Sequence, residues 1–427
     1  MKNNSFLLQL GFVFAFCSAA GYATTSHASE APTQASPANG PKLPNTTLPL
    51  IAPTTAHRPV AAPTPPALSA KGWILLDAYS GKVLAEQDSD TRLAPASLTK
   101  MMTAYIISSA IQQGRLHLDD KVYISEKAWR TGGSKMFVKV GDNVPVRDLL
   151  QGIIVESGND ACIAMAEHLA GSEDAFVDLM NQQAKLLGMN GTHFTDSTGM
   201  PNENHYTTPR DMATLAQAII FNFPGDYKTY SQKWFTYNNI KQPNRNRLLW
   251  RDDGVDGIKT GHTDDAGYCL ASSAIKNNMR LIAIVMGAPS DKARADDSQK
   301  LLTYGYRFFE TKPLFKANTP VQQVRVWLGK DKLTPIGTSE TIYLTVPAGQ
   351  FRDLKTEFAA KNDLKAPIKK YQELGEIKVM LGDKVLMTQT VVALNENPKA
   401  NIFTRLRDHT NLALDKLFHK KSVSGKS

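Results

Sequence analysis

Strand-type segments at the two ends of one region, with helical segments between them, constrain the fold of this chain more than any other feature. Residues 73–77 and 82–86 flank a Tyr-Ser-Gly segment, which predicts two strands joined by a tight turn. Far along the chain, residues 268–275 and 279–286 are again apolar runs of strand type. We therefore predict an α+β fold in which an antiparallel sheet is assembled from both ends of the region and flanked by helices.

The segments between these strands repeat apolar residues at helical spacing. Over residues 97–113 the repeat runs from Leu98 to Ala110, and Gly114 is a natural stop. Further helices are predicted by the same criteria in the rest of the region, over residues 146–154, 160–169, 174–187, 208–218 and 301–309. The middle of the region is therefore expected to be mostly helical.

The chain before this region has a different composition. Lys2 precedes an apolar run over residues 6–20 and then small residues, which predicts a secretory signal peptide over residues 1–28. Residues 29–68 are rich in Pro, Ala and Thr, so we expect a disordered linker that cannot bury enough apolar surface to fold. The main domain is then expected over residues 69–314.

Two smaller segments follow the main domain. Residues 315–398 contain short β-type runs broken by Gly and Pro, which predict a small all-β domain with a spacer or interaction role. Residues 399–427 fit an amphipathic helix with Ile402, Phe403 and Leu406 on one side and basic residues around them. The net charge of +9 favours association of the protein with an acidic surface or polymer. A basic helix of this kind fits the surface of an anionic membrane, and packing on the β domain is the alternative.

Ser97 and Lys100 stand at the start of the helix predicted over residues 97–113. Side chains three positions apart share a helix face, so this hydroxyl and this amine can meet. Burial among apolar neighbours lowers the pKa of a lysine, which lets it act as a base toward a serine. Alternatively Ser97 caps the helix and Lys100 is solvated, because this spacing occurs by chance about once or twice in such a chain.

Two further motifs follow in order. Ser157, Gly158 and Asn159 lie in a predicted turn between two helices, a pattern that is more often just a helix cap. The rarer sequence of residues 259–262, Lys-Thr-Gly-His, leads toward the strand predicted from residue 268. The ordered set of three motifs is a strong signal, and it is typical of serine enzymes that react with penicillin.

On these motifs the chain resembles the low-molecular-mass penicillin-binding proteins that are serine D-alanyl-D-alanine carboxypeptidases, peptidase family S11. The resemblance covers residues 72–421 and includes residues 95–100, 157–162, 256–263 and 304–311. It implies a β-lactamase/transpeptidase-like domain followed by the small all-β domain and a helix on the outer face of the inner membrane. It also implies a periplasmic enzyme that removes the terminal D-alanine from peptidoglycan stem pentapeptides and is acylated by β-lactam antibiotics.

The resemblance further implies roles for the first two motifs. Ser97 attacks the carbonyl carbon of the penultimate D-alanine after Lys100 takes its proton. Ser157 relays a proton to the leaving amine, and Asn159 binds the amide of the substrate. Lys259 attracts the substrate carboxylate and, by repulsion between like charges, keeps Lys100 neutral.

The third motif and a distant arginine are assigned to substrate binding on the same grounds. Thr260 hydrogen-bonds the substrate carboxylate, and Gly261 lets the strand approach the ligand closely. The reaction oxyanion is expected to be bound by the backbone N–H groups of Ser97 and His262. The ring of His262 either tunes the site or has a structural role. Arg294 resembles an arginine near the carboxylate, and an ordinary surface charge is the alternative.

Other functions stay open on the sequence. A class A-like β-lactamase shares the motifs, but no convincing deacylating glutamate lies between Gly191 and Thr208, and such a chain normally ends near Thr311. A non-catalytic cell-wall scaffold would be expected to lack a motif residue, whereas a D,D-endopeptidase uses the same residues. We expect no metal, no cofactor and no nucleic-acid partner. Cys162 and Cys269 are expected to be buried free thiols, with a single disulfide as the alternative.

Overall fold

The computed structural model describes residues 62–361 and 364–423, with side chains as far as residue 412. The predicted signal peptide (1–28) and most of the predicted linker (29–68) lie outside these residues. Residues 62–68 differ from the linker prediction, because they pack on the main domain. The Tyr304 hydroxyl donates to the carbonyl of Pro63 at 2.8 Å, and Leu68 joins an apolar cluster. Ordered structure therefore begins before residue 69.

An antiparallel sheet in the order β2–β1–β9–β8–β7 forms the centre of the first domain. The strands of this domain are β1 (Gly72–Asp77), β2 (Val83–Gln87), β3 (Lys121–Tyr123), β4 (Asn143–Pro145), β5 (Trp234–Tyr237), β6 (Ile240–Pro243), β7 (Val255–Thr263), β8 (Gly267–Lys276) and β9 (Met279–Ala288). Two short pairs, β3 with β4 and β5 with β6, are separate from the central sheet. Ile74 of β1 pairs with Ile284 of β9, so the two chain ends meet as predicted. The α+β prediction is confirmed.

Helices cover this sheet and build a separate helical region. They are α1 (Lys100–Gln112), α2 (Glu126–Arg130), α3 (Val146–Gln151), α4 (Asn159–Ala170), α5 (Glu173–Leu186), α6 (Pro209–Asn222), α7 (Leu248–Arg251) and α8 (Asp291–Phe308). A 3₁₀ turn (Ala96–Thr99) precedes α1, a π turn (Gly152–Glu156) follows α3, and a second 3₁₀ turn (Asp226–Ser231) follows α6. Helix α8 begins ten residues before the predicted start, because the Ser290 side chain caps it by accepting from the Ala293 N–H.

The sheet is buried on both faces because its apolar residues point alternately to opposite sides. Ile74 and Leu76 of β1 belong to the cluster beneath α1, α4, α5 and α6, whereas Trp73 and Leu75 belong to the cluster beneath α8. Cys162 and Cys269 are buried and free, as predicted.

The second domain is all-β. Its strands are β10 (Phe309–Phe315), β11 (Gln322–Arg325), β12 (Leu333–Gly337), β13 (Ile342–Pro347), β14 (Leu354–Ala360), β15 (Glu373–Leu381) and β16 (Lys384–Ala393), with a 3₁₀ turn (Phe351–Asp353) before β14. β10 follows α8 directly and pairs with β13, while the other strands form a sheet in the order β11–β12–β16–β15–β14. The change from one domain to the other therefore falls near residue 309, earlier than the predicted 314.

The terminal helix α9 (Ile402–Val423) has one face on the β domain and one in solvent. Asp408 and Leu412 are buried, and the Leu328 N–H donates to the Asp408 carboxylate at 3.0 Å. Ile402, Phe403 and Leu406 are 76%, 84% and 67% exposed. Among the described helices, none combines the length and the apolar character that crossing a membrane requires.

Candidate active site

A cleft of about 350 Å³ brings most of the predicted site residues together. Residues from the three motifs, from the loop that carries Gly133 and from the segments of two arginines line it: Ser97, Gly133, Ser134, Ser157, Arg245, Thr260, Gly261, His262 and Arg294. Lys100 and Lys259 are buried directly behind this lining. Asn159 is not among the residues that line the cleft.

Ser97 lies in the 3₁₀ turn that precedes α1, one turn earlier than the α-helix itself. Strand β7 runs against this turn at Gly261, where an added Cβ would lie 2.9 Å from the Pro95 oxygen and 3.1 Å from the Ser97 nitrogen. Only glycine allows this approach without displacement of the turn. The close contact places the third motif beside the serine hydroxyl.

Lys100 is buried against the serine. Its Nζ lies 2.9 Å from Ser97 Oγ and donates to the carbonyl of Thr198 at 2.6 Å, and the residue is 1% exposed. Burial lowers the pKa of Lys100 to about 8, although the negative charge of Asp196 acts in the opposite direction. A fraction of the amine is therefore neutral near pH 7, with its lone pair available to the serine proton.

The Thr198 carbonyl belongs to a loop that the sequence did not point to. The carboxylate Oδ1 of Asp196 accepts hydrogen bonds from the N–H groups of Thr198 and Gly199, and from the Thr198 hydroxyl. Gly199 has a φ of +89°, and a Cβ there would collide with the Ala96 carbonyl. The loop is thereby pressed against the turn that carries Ser97.

Ser157 occupies a left-handed position (φ 64°, ψ 35°) between the π turn and α4. Lys259 Nζ donates to its Oγ at 3.0 Å and to the Thr260 carbonyl at 3.0 Å. Burial lowers the pKa of Lys259 well below its ordinary value, and repulsion from Lys100 lowers it further. Burial, which the sequence predicted at Lys100, is the larger cause at both lysines, and the predicted repulsion between them acts on the pKa of Lys259.

Asn159 points into the wall of the site rather than into the cleft. Its Nδ2 donates to the Gly132 carbonyl at 2.8 Å. The neighbouring Asp160 accepts from the N–H groups of Met136, Phe137 and Val138, so α4 holds the whole segment that carries Ser134. The Gly132 contact uses the side-chain nitrogen of Asn159, so its side-chain oxygen is the group that can accept from a substrate amide.

The far wall of the cleft is cationic. Arg294 is buried, with Nη1 donating to the Gly261 carbonyl at 2.8 Å and Nη2 to the Asp291 carboxylate at 2.6 Å. It is therefore not a solvated surface charge. Burial lowers the pKa of Arg294 and also that of Arg245, where the charge of Arg294 adds to the effect.

Arg245 is a cleft residue that sequence reasoning missed. It lies between two asparagines that lock the backbone: Asn244 Oδ1 accepts from the Asn246 N–H at 3.0 Å, and Asn246 Nδ2 donates to the Gly257 carbonyl at 3.0 Å. The run of three polar residues was a usable signal, because asparagines often hold turns. None of the residues lining the described cleft is acidic, so the cleft is suited to an anionic group.

His262 lies at the rim. Its ring is exposed and stacks on Tyr268 with ring centroids 4.0 Å apart. The site as a whole combines a serine beside a dehydrated lysine, a second serine beside a second lysine, and a cationic wall. This arrangement is suited to acyl transfer from a substrate that carries a carboxylate.

Residues 59–290 match the family model described as D-alanyl-D-alanine carboxypeptidase. The chain belongs to the D-alanyl-D-alanine carboxypeptidase family. Residues 309–399 of this carboxypeptidase match the model described as penicillin-binding protein 5, C-terminal domain. The predicted family and the class of peptide-bond hydrolase are thus confirmed.

Similar proteins cover most of the carboxypeptidase. The D-alanyl-D-alanine carboxypeptidase DacA of Escherichia coli is 45% identical over 84% of this chain and 90% of its own length. DacF of Bacillus subtilis is 41% identical, over 79% and 88%. The structure of penicillin-binding protein 5 from Haemophilus influenzae matches with a TM-score of 0.75 at 41% identity, over 79% of this chain and 99% of that one. These matches extend to the β domain and confirm the predicted fold class.

Proposed function

We propose that Ser97 is the nucleophile and Lys100 its base in the removal of the terminal D-alanine from peptidoglycan stem pentapeptides. The 2.9 Å contact between Lys100 Nζ and Ser97 Oγ, with Lys100 almost fully buried, carries this proposal. A buried amine with a lowered pKa is the type of base that activates a serine hydroxyl. β-Lactam antibiotics acylate the same serine.

Acylation starts with addition of Ser97 Oγ to the carbonyl carbon of the penultimate D-alanine, while its proton moves to Lys100 Nζ. The backbone N–H groups of Ser97 and His262 hold the oxyanion. The oxyanion then collapses and the C–N bond breaks, while the proton held by Lys100 passes to the leaving amine through the Ser157 hydroxyl, which is hydrogen-bonded to Lys259. Water hydrolyses the resulting ester and restores the serine.

The terminal carboxylate of the substrate binds at the cationic wall. The Thr260 hydroxyl and the guanidinium groups of Arg245 and Arg294 are its partners in the proposal, because all three residues line the cleft. Arg–carboxylate hydrogen bonds are charge-assisted and therefore stronger than neutral ones. Asn159 binds the substrate amide through its side-chain oxygen, while its side-chain nitrogen keeps the Gly132 contact.

We expect the β-lactam acyl-enzyme to be hydrolysed slowly, because the segment between Gly191 and Thr208 places no carboxylate as a base in the cleft. Between Gly191 and Thr208, Asp196 is occupied by several hydrogen-bond donors, and Glu203 is exposed and lines a different cavity. Neither is a free base in the cleft. These contacts favour a carboxypeptidase over a β-lactamase.

The test is D-alanine release from a pentapeptide ending in D-Ala-D-Ala, with the chain lacking residues 1–28. We expect release by the parent and a loss of at least ~10³-fold in Ser97→Ala. The matched control is Ser109→Ala, which removes a partly exposed serine on α1. If neither the parent nor Ser97→Ala released D-alanine while penicillin still acylated Ser97 of the parent, a D,D-endopeptidase or a scaffold would replace this proposal.

The proposal includes the place of work. A chain exported by the signal peptide (1–28) would act in the periplasm, and residues 399–427 would attach it peripherally to the anionic outer face of the inner membrane. The exposed side chains of Ile402, Phe403 and Leu406 support this attachment.

A further inference from the structure

A buried histidine lies behind the proposed nucleophile. His205 is 3% exposed, and its Nε2 is 2.9 Å from the hydroxyl oxygen of Thr99, a residue between Ser97 and Lys100 in the chain. Its Nδ1 is 3.2 Å from the Asp196 carboxylate. The imidazole therefore joins the turn that carries the nucleophile to the loop that holds the base.

The contacts continue from the histidine to the lysine. The carboxylate oxygen of Asp196 that does not face His205 accepts from the Thr198 N–H at 2.7 Å and the Gly199 N–H at 2.6 Å. These bonds fix the direction of the Thr198 carbonyl, which accepts from Lys100 at 2.6 Å. One hydrogen of a neutral Lys100 amine is then committed to Thr198, and its lone pair is left for Ser97.

The same contacts are electrostatic. The Asp196 charge raises the pKa of Lys100, against the effect of burial. Burial acts to raise the pKa of Asp196, but the hydrogen bond with His205 lowers it and helps to keep the carboxylate ionised. The histidine therefore reaches the lysine through Asp196 and the serine turn through Thr99.

We propose that His205 is a positioning residue for acylation, which aligns Asp196 so that Thr198 orients Lys100 toward Ser97. This inference rests on the proposed roles of Ser97 and Lys100.

Other charged residues share a cavity with the His205 ring. A cavity of about 740 Å³ borders His205, and its lining includes Arg92, Glu203 and Asp265. The Arg92 guanidinium lies over the Tyr206 ring, 4.4 Å from its centroid. The imidazole also contacts neutral groups. The Thr195 N–H and hydroxyl lie 3.3 and 3.0 Å from Nδ1, and the Phe194 ring packs edge-on against the imidazole. Among the described residues, Asp196 is the charged group in contact with the ring.

The experiment measures the second-order rate constant for acylation of Ser97 by a fluorescent penicillin between pH 5 and 10. His205→Ala removes the contact with Asp196, so Thr198 should lose its fixed direction and the rate should fall about 10-fold. His205→Gln, whose side-chain N–H can still donate to Asp196, should recover most of the rate. Asp196→Asn removes the charge that raises the pKa of Lys100, so the rise in rate should move down by about 0.5–1 pH unit. The control, His193→Gln, changes an exposed histidine that contacts the Asn204 carbonyl and should leave the profile in place.

Equal losses of rate in His205→Ala and His205→Gln would overturn the inference, because the imidazole would then have only a structural role. If circular dichroism shows that His205→Ala does not fold, the Asp196→Asn profile decides, and an unmoved rise overturns the inference. Absence of acylation in the parent would remove the proposed function as well, whereas normal acylation with unmoved profiles removes only the role of His205.

Discussion

Glu156, the residue before the second-motif serine, is buried in the wall of the site. It is 1% exposed at the end of the π turn, and burial raises its pKa to about 8, with the nearby charge of Asp160 adding to the effect. A carboxyl group that stays protonated near pH 7 was not foreseen, because nothing in the local sequence indicates that this side chain turns inward. Its cost to stability depends on pH.

Replacement of Glu156 by Gln should stabilise the fold in alkaline solution. The pKa in the folded state lies above the ordinary value of 4.5, so this group favours folding fully below pH 4.5, and its contribution is lost as pH rises through about 8. Glu156→Gln removes the ionisation, and we expect a gain of about 1–2 kcal/mol at pH 9 and little change at pH 5. Urea unfolding at both pH values measures the difference.

Glu126→Gln is the control for this prediction. Glu126 is exposed on α2 and paired with Arg130, so the same substitution there should change the free energy of unfolding by less than about 0.5 kcal/mol. A gain at pH 9 that equals the gain at pH 5 in Glu156→Gln would contradict the titration of Glu156.

At the scale of elements, the site depends on strand β7 lying against the turn before α1. The spacing of the first motif predicted that the side chains of Ser97 and Lys100 meet on one face, and Lys100 Nζ lies 2.9 Å from Ser97 Oγ. The third motif was predicted to lie at a strand, and it lies within β7, where Lys259 is opposite Ala271 of β8. The π turn before Ser157 and the β5–β6 hairpin were missed, because both are short and neither has a local pattern of its own.

Gly261→Ala should separate β7 from the serine turn. A methyl group would meet backbone atoms of Pro95 and Ser97, which cannot rotate away as a side chain can. A displacement of about 1 Å at a reacting group can cost about 10²-fold in rate, so we expect a loss of this order in penicillin acylation. Stopped-flow acylation measures it.

The same substitution at Gly225 is the matched control. Gly225 has a φ of −68° and open space around an added Cβ, so Gly225→Ala should keep the parent rate. Unchanged acylation in Gly261→Ala would show that the approach of β7 does not set the geometry of the serine.

At the scale of the whole molecule, buried polar contacts join the catalytic domain to the β domain. The Asp77 carboxylate accepts from the Thr311 hydroxyl at 2.8 Å, and Thr311 contacts the Thr345 hydroxyl at 2.7 Å. Lys82 Nζ donates to the Thr345 carbonyl at 3.0 Å, and the Tyr79 ring stacks on Tyr343. The two domains are therefore connected by hydrogen bonds as well as by the direct passage from α8 to β10.

Loss of the apolar face of α9 should weaken attachment to membranes. Phe403→Ser with Leu406→Ser removes two exposed apolar side chains, each worth about 1.5–3 kcal/mol when fully buried. We expect at least ~10-fold weaker partitioning onto vesicles containing phosphatidylglycerol, measured by sedimentation, with pentapeptide hydrolysis in solution unchanged.

Leu186→Ser controls for the general loss of an exposed leucine. Leu186 is 80% exposed at the end of α5 in the catalytic domain, so its replacement should leave vesicle binding as in the parent. Equal binding by the parent and the double variant would contradict attachment through α9.

The sequence by itself determined the layers of the fold and the motif residues, because both are written in local patterns. Apolar runs of strand type predicted the sheet from two chain ends, and the ordered set of three motifs indicated the family. Tertiary structure decided what surrounds those residues. Arg245, Asp196 and His205 reach the site through contacts between distant segments, such as the 2.9 Å contact of His205 with Thr99. The lowered pKa of Lys100 arises in the same way, since the burial that causes it comes from the packing of the whole domain.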